Sequence, residues 1–146
     1  MPNAAYMTLI GRVLVGLIFL MSAINKIADP QGTQLYMRTM GMTSMTTLFY
    51  IGAVAIELAG ALSLVLGYRT KVGGWLLCLF LIPTTLIFHT QLADQNQLIH
   101  FLKNLSMMGG LLYVAQFGGG RYSVDAGLER AATQEPPRRL RRVVHQ

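Results

Sequence analysis

Charge is what this 146-residue chain lacks most. Only 12% of its residues are charged while 53% are apolar, about half the charged share of an ordinary soluble domain. A soluble fold of this length is excluded, because a small domain has too little interior to hide so many apolar side chains. Cysteine is almost absent. Cys78 alone allows neither an intrachain disulfide nor a Cys-x-x-Cys redox pair, and among its leucine neighbours it reads as an inert, buried thiol. Glycine-rich phosphate loops, nucleophile elbows and catalytic triads are missing too. The net charge of +6 comes largely from Arg138, Arg139, Arg141 and Arg142. No aromatic residues are interleaved with them to stack on bases, so nucleic acid is excluded as a partner and anionic lipid is expected at this tail.

What the chain does have is long apolar runs. A membrane-crossing helix needs about 20 mostly apolar residues, and four windows qualify, over residues 7–27, 45–66, 72–89 and 98–117. The first has neither a basic segment before it nor an Ala-x-Ala site after it, so it reads as a span rather than a signal peptide. The predicted fold is all-α: a four-helix transmembrane bundle with antiparallel neighbours, because the connections are short. Arg69, Lys71 and the arginines after the fourth span outnumber Lys26 and Arg38 on the other side. The predicted orientation therefore has both termini in the cytoplasm.

The connection between the first two spans contains Asp29-Pro30 and Gly32, which form turns, and Leu35-Tyr36-Met37, which suit a short helix at the membrane surface. Residues 1–126 form the predicted membrane domain, and 127–146 a basic, mobile cytoplasmic tail. Ala55, Ala59 and Ser63, with Gly73-Gly74 and Gly109-Gly110, are small residues that let helix backbones approach in lipid. Pro83 interrupts the third span and predicts a kink there.

Ionisable groups inside the bilayer cost about 2.5–3.5 kcal/mol each on insertion scales, so each needs a partner or a purpose. Counting depth at about 1.5 Å per residue puts Arg12 nearer to Glu57 than Lys103 is. Glu57 also shares a small-residue face with Ala53, Gly60 and Ala61, so an Arg12–Glu57 ion pair is expected. Toward the opposite end, His100, Lys103 and Asn104 share one helix face, at the level of His89, Asn25 and Lys26. His89, His100, Lys103, Asn104 and Lys26 are the ligand-binding candidates: the lysines suit a polarised carbonyl oxygen, and the histidines can donate, accept or pass protons. The bland alternative is that Lys26 and His89 are interfacial anchors. Metal is not expected, because two histidines with Asp94 as the nearby carboxylate make no zinc set. A haem held by His89 and His100 is a minor alternative.

The pattern Gly11-Arg12, Phe19-Leu20-Met21-Ser22 and Lys26, followed by Gly32, Tyr36-Met37 and Gly41, resembles the DoxX family of bacterial membrane proteins. So do Glu57-Leu58-Ala59-Gly60 with Gly67, Phe88-His89, His100-Phe101-Leu102-Lys103-Asn104, Gly109-Gly110 and Ser123-Val124-Asp125. The likeness covers about residues 8 to 126. It departs at Ala23, where the family usually has glycine. The resemblance implies a four-span protein of the bacterial inner membrane, similar to a group that contains a subunit of a thiosulfate:quinone oxidoreductase and members tied to oxidative-stress and thiol-redox systems. Two functions follow as expectations. One is a membrane subunit of a quinone-linked redox system; since no cofactor is evident in the sequence, a protein partner or a bound haem would supply the electrons. The other is a non-enzymatic accessory subunit of a larger membrane complex. Small-solute transport is weaker, for want of an inverted repeat.

Overall fold

A computed structural model of the chain describes residues 2–134. They form six helices and no strand: α1 (Pro2–Ala28), α2 (Pro30–Thr39), α3 (Thr46–Leu66), α4 (Thr70–Phe88), α5 (Gln95–Phe117) and α6 (Val124–Gln134). The long helices α1, α3, α4 and α5 are each long and apolar enough to cross a membrane. They pack in a ring, α1 on α3, α3 on α4, α4 on α5, and α5 back on α1. Contacts fix neighbours as antiparallel. Tyr50, early in α3, reaches Lys26, late in α1, while Gly16 of α1 faces Ala61 and Val65 of α3. The fold is the four-span bundle that the apolar runs predict.

The helix ends follow local chemistry. Asp29 caps α2 by accepting a bond from Gly32 N at 2.9 Å, with Pro30 in the first turn where no N–H is needed. Asp94 likewise caps α5 through Gln97 N at 3.0 Å. Gly67 ends α3 at φ +73°, a left-handed conformation that glycine adopts without strain. α2 is the surface helix expected between the first two spans. α6 is not foreseen. The predicted tail begins at residue 127, yet the helix runs on to Gln134 because Ser123 caps it, its Oγ accepting from Ala126 N at 3.1 Å. The arginines expected to meet anionic lipid, Arg138 to Arg142, lie outside the described residues.

The core comprises Phe19, Ala61, Leu64, Leu77, Cys78, Leu81 and Leu111. Small residues set how close the helices come. A Cβ on Gly60 would run into Leu77, and one on Gly73 into Ser63, so α3 and α4 approach backbone to side chain here. Gly74 packs less tightly, a Cβ there lying 3.0 to 3.2 Å from the backbone of Ala115 and Leu111 in α5.

These approaches belong to one end of the bundle, where α3 turns into α4 and α6 docks. At this α6 end, Asp125 accepts bonds from Arg69 N at 2.7 Å, Thr70 N at 2.9 Å and Thr70 Oγ1 at 2.8 Å, covering the first amides of α4. Its own N–H returns to Gly67 O at 2.9 Å. Arg12, 2% exposed, donates from Nη2 to Tyr122 O at 2.7 Å, and Tyr6 stacks on Tyr122 at 4.8 Å. The opposite, α2 end is built differently.

Candidate functional site

The expected Arg12–Glu57 pair does not form: Glu57 is held by Lys26. The reason is the lean of helical side chains toward the N-terminus of their own helix. In the antiparallel pair α1 and α3, Arg12 leans toward the α6 end and Glu57 toward the α2 end, so they point apart. Lys26, in the last turn of α1, leans inward along its helix and meets Glu57 coming the other way. Lys26 Nζ lies 3.0 Å from Glu57 Oε2 and donates to Oε1 at 3.1 Å. Ser22, one turn before Lys26, completes the group. Its Oγ accepts from Lys26 at 2.7 Å and donates to Glu57 Oε1 at 3.1 Å. The Glu57 side chain is 5% exposed and that of Lys26 23%, so a carboxylate inside the membrane is matched by one ammonium and one hydroxyl.

Above this triad, toward the α2 end, the helices line a partly open cavity of about 800 Å³, within the usual size range of small-molecule sites. α1 contributes Ser22 and Lys26, α3 Gly52, Ile56 and Glu57, α4 Pro83 and Thr84 with His89 just after its end, and α5 Lys103, Asn104 and Met107. α2 lies over it with Thr33, Tyr36 and Met37. Tyr36 stacks on Phe88 with centroids 5.7 Å apart, and Gln34 is bonded to Thr47 Oγ1 at 2.9 Å, tying α2 down to α4 and α3. Most of the wall is aliphatic, aromatic or methionine. The polar groups sit in two patches: the Lys26–Glu57–Ser22 triad, and the α4–α5 side with His89, Lys103 and Asn104.

The α4–α5 patch divides by burial. Asn104 is buried, 4% exposed, and donates to Thr85 Oγ1 at 3.0 Å, which in turn donates to Leu81 O at 2.6 Å. Its amide therefore joins α5 to α4. Lys103, counted by depth as an interior residue, is exposed at the cavity rim and bonded to His100 Nδ1 at 3.0 Å. A lysine ammonium can only donate, so Nδ1 of His100 accepts and its proton sits on Nε2. His89 Nδ1 meets Gln97 Oε1 at 2.9 Å, and the two imidazoles stack at 5.1 Å with 24° between their planes. Stacked rings present their faces to one another rather than opposed nitrogens to one iron, which does not fit a haem between them. Among the described residues no three His, Cys, Asp or Glu side chains gather as metal ligands.

Of the ligand-binding candidates, Lys26, His89, Lys103 and Asn104 line one cavity, whereas His100 stands outside its wall and touches it through Lys103. Sequence reasoning placed Glu57 with Arg12 and so missed it as a cavity residue. It also missed Ser22, although Ser22 and Lys26 share a helix face at a spacing of four. Arg12 belongs to the α6 end, where Nε and Nη1 are buried without a hydrogen-bond partner among the described residues and Asp125 supplies the nearby opposite charge.

The DoxX family model matches residues 7–90. The chain is 31% identical over 122 residues to the inner membrane protein YqjF of Escherichia coli, covering 84% of this chain and 92% of that protein. It is 34% identical over 122 residues to the inner membrane protein YphA of the same organism, covering 80% and 86%. No solved structure matches significantly.

Proposed function

The chain belongs to the DoxX family and is a multi-pass protein of the inner membrane, and from that premise we propose that it is the membrane subunit of a quinone-linked redox system, with the α2-end cavity as the quinone head-group site. Both termini face the cytoplasm in this reading, so the cavity lies in the outer half of the bilayer. One observation carries it: a cavity of about 800 Å³ with apolar walls and a lysine–carboxylate–hydroxyl group at its base. A quinone head is a flat apolar ring with two carbonyl oxygens, and it asks for such walls and a few hydrogen-bond donors. Lys26 spends one N–H on Ser22 and one on Glu57, leaving the third for a ligand carbonyl. Reduction to the quinol takes two electrons and two protons. A protein partner supplies the electrons, and the protons reach the head through the cavity's acid–base groups.

The test is purification from native membranes in a gentle detergent, followed by mass spectrometry of extracted quinones. The expected result is stoichiometric quinone with the unaltered chain and about tenfold less with Lys26→Met, at equal protein yield. Quinone absent from both preparations overturns the reading.

A second reading draws on a separate observation. Asn104–Thr85, Lys26–Glu57–Ser22 and Arg12–Tyr122 all join one helix, or its flanking segment, to another, as interhelical glue does in membranes. On this reading the chain is an accessory subunit whose polar groups specify packing alone. A stable protein complex recovered without quinone, and weakened by Lys26→Met, would support it.

A further inference from the structure

The wall of the cavity is not closed all round. At the α6 end α3 and α4 interlock through Gly60 with Leu77 and Gly73 with Ser63. Toward the α2 end that interlock gives way to the cavity, whose α3 side carries Leu48 and Phe49 and whose α4 side carries Pro83 and Ile87. Leu48 is 63% exposed, Phe49 50% and Ile87 40%. These residues line the cavity and are at the same time exposed on the outside of a bundle of membrane-crossing helices. The end of the cavity nearest the membrane surface is, by contrast, roofed by α2, with Met37 buried, Tyr36 on Phe88, and His89 tied to Gln97. Proline at 83 fits the opening, since it removes one backbone bond of α4 on the cavity side and lets the helix bend there.

We infer that the cavity is entered sideways, through the gap between α3 and α4, by an amphiphile that arrives dissolved in the bilayer and brings its carbonyl-bearing head to Lys26 and Glu57 while its tail stays in the gap. The chemistry of that head rests on the quinone reading; the sideways route does not. Three observations favour such an occupant over an ordinary phospholipid chain. The innermost wall is charged and hydrogen-bonding. The sides carry Phe19, Phe80 and Phe88, which suit a flat ring. The α3–α4 side of the rim is apolar, with Leu48, Phe49, Pro83 and Ile87, which suits a tail. A phospholipid would place its polar end at the membrane surface and its hydrocarbon against the ion pair, reversing that order.

Gly52 makes the route measurable. It lines the cavity, and a Cβ built on it meets nothing within 4 Å, so a side chain can start there without a clash. The full chain carrying Gly52→Trp and Trp75→Phe, in bilayer nanodiscs, has its only indole in the cavity. Phospholipids brominated on their chains should quench this indole severalfold more than iodide in the water does. A decyl-tailed benzoquinone should quench it saturably, and Lys26→Met should weaken that binding about tenfold while leaving the bromolipid result unchanged. An indole reached by iodide, or sheltered from both quenchers, overturns sideways entry; a saturable quinone response in that case leaves the quinone reading standing. Bromolipid quenching together with a quinone response that does not saturate and ignores Lys26→Met overturns the head-group assignment and the quinone reading with it. Should Gly52→Trp not reach the membrane, Ile56→Trp on the same wall gives the same comparison.

Discussion

The two ends of this bundle solve opposite problems with the same four helices. At the α6 end glycines bring backbones together, and Asp125, Thr70, Arg12 and Tyr122 lock the α3–α4 turn to the chain that follows α5. At the α2 end α3 and α4 both line the cavity, α3 with Gly52 and Ala53 and α4 with Pro83 and Thr84, and a short helix covers it. Asp125 and Arg12 Nη2 at the first end bond across to neighbouring backbone, whereas several polar groups at the second line open space. A membrane protein gains little from apolar contact as such, because lipid is as apolar as leucine. Tight packing and polar glue at one end therefore allow the other to stay open. The contrast yields predictions that differ by end.

The largest effect is expected at Gly67. A Cβ there would collide with Arg12 Nη1 and the Ser123 side chain, on a backbone where any other residue costs about 1–2 kcal/mol. Gly67→Val should reduce the folded yield severely and lower the melting temperature in detergent; a normal melt would show that the α6-end lock is not tight. Arg12→Ala follows, with an expected loss of about 2–4 kcal/mol from the emptied volume and the lost charged hydrogen bond.

The pairing at the α2 end comes next. Lys26→Met and Glu57→Gln should each cost about 1–3 kcal/mol, and the double change should fall short of their sum by about 1 kcal/mol or more, because each strands the other's partner. Arg12 acts near Gly67, ten residues along α3 from Glu57 or about 15 Å. Losses for Arg12→Ala with Glu57→Gln should therefore add to within about 0.5 kcal/mol. Coupling between Arg12 and Glu57 instead of Lys26 and Glu57 would sink the assignment of the two ends.

Asp125 supplies a pH signature. Partial burial raises the pKa of its carboxyl, but the bonds from Thr70 and Arg69 and the charge of Arg12 outweigh that and hold it below the usual carboxylate range. A carboxylate whose pKa is depressed by folding contributes stability that is present above its unfolded pKa and lost as pH falls through the folded one. Melting temperature should thus fall as the pH drops below about 4, and Asp125→Asn should flatten that fall while costing about 1–2 kcal/mol at neutral pH. Lys103→Met should change stability least, by no more than about 0.5 kcal/mol, since Lys103 is exposed and bonded to a neighbour on its own helix.

Some of this was legible in the residues. Apolar runs over 45–66 and 72–89 set α3 and α4 to within a few residues, because lipid demands a fixed length of unbroken hydrocarbon whatever the neighbours are. The gathering of Lys26, His89, Lys103 and Asn104 at one level also followed from counting residues along each span. Depth counting failed for Glu57 because it treats a side chain as level with its Cα, whereas Lys26 and Glu57 each lean by several ångströms, and toward each other. It failed for Lys103 in the other sense: depth says how far down a residue sits, not which side of the helix faces the bundle.

Composition and spacing by themselves determined that this chain threads a membrane four times, that its neighbours run antiparallel, and that a few costly polar groups cluster toward one end. Those are one-dimensional properties, set by the length and polarity of each segment against a slab of fixed thickness. The tertiary structure alone decided which cation meets Glu57, that Asp125 closes the α6 end, and that a cavity forms among the helices at the α2 end. Those outcomes depend on rotation about each helix axis and on the direction of each side chain, and both are fixed when the helices pack.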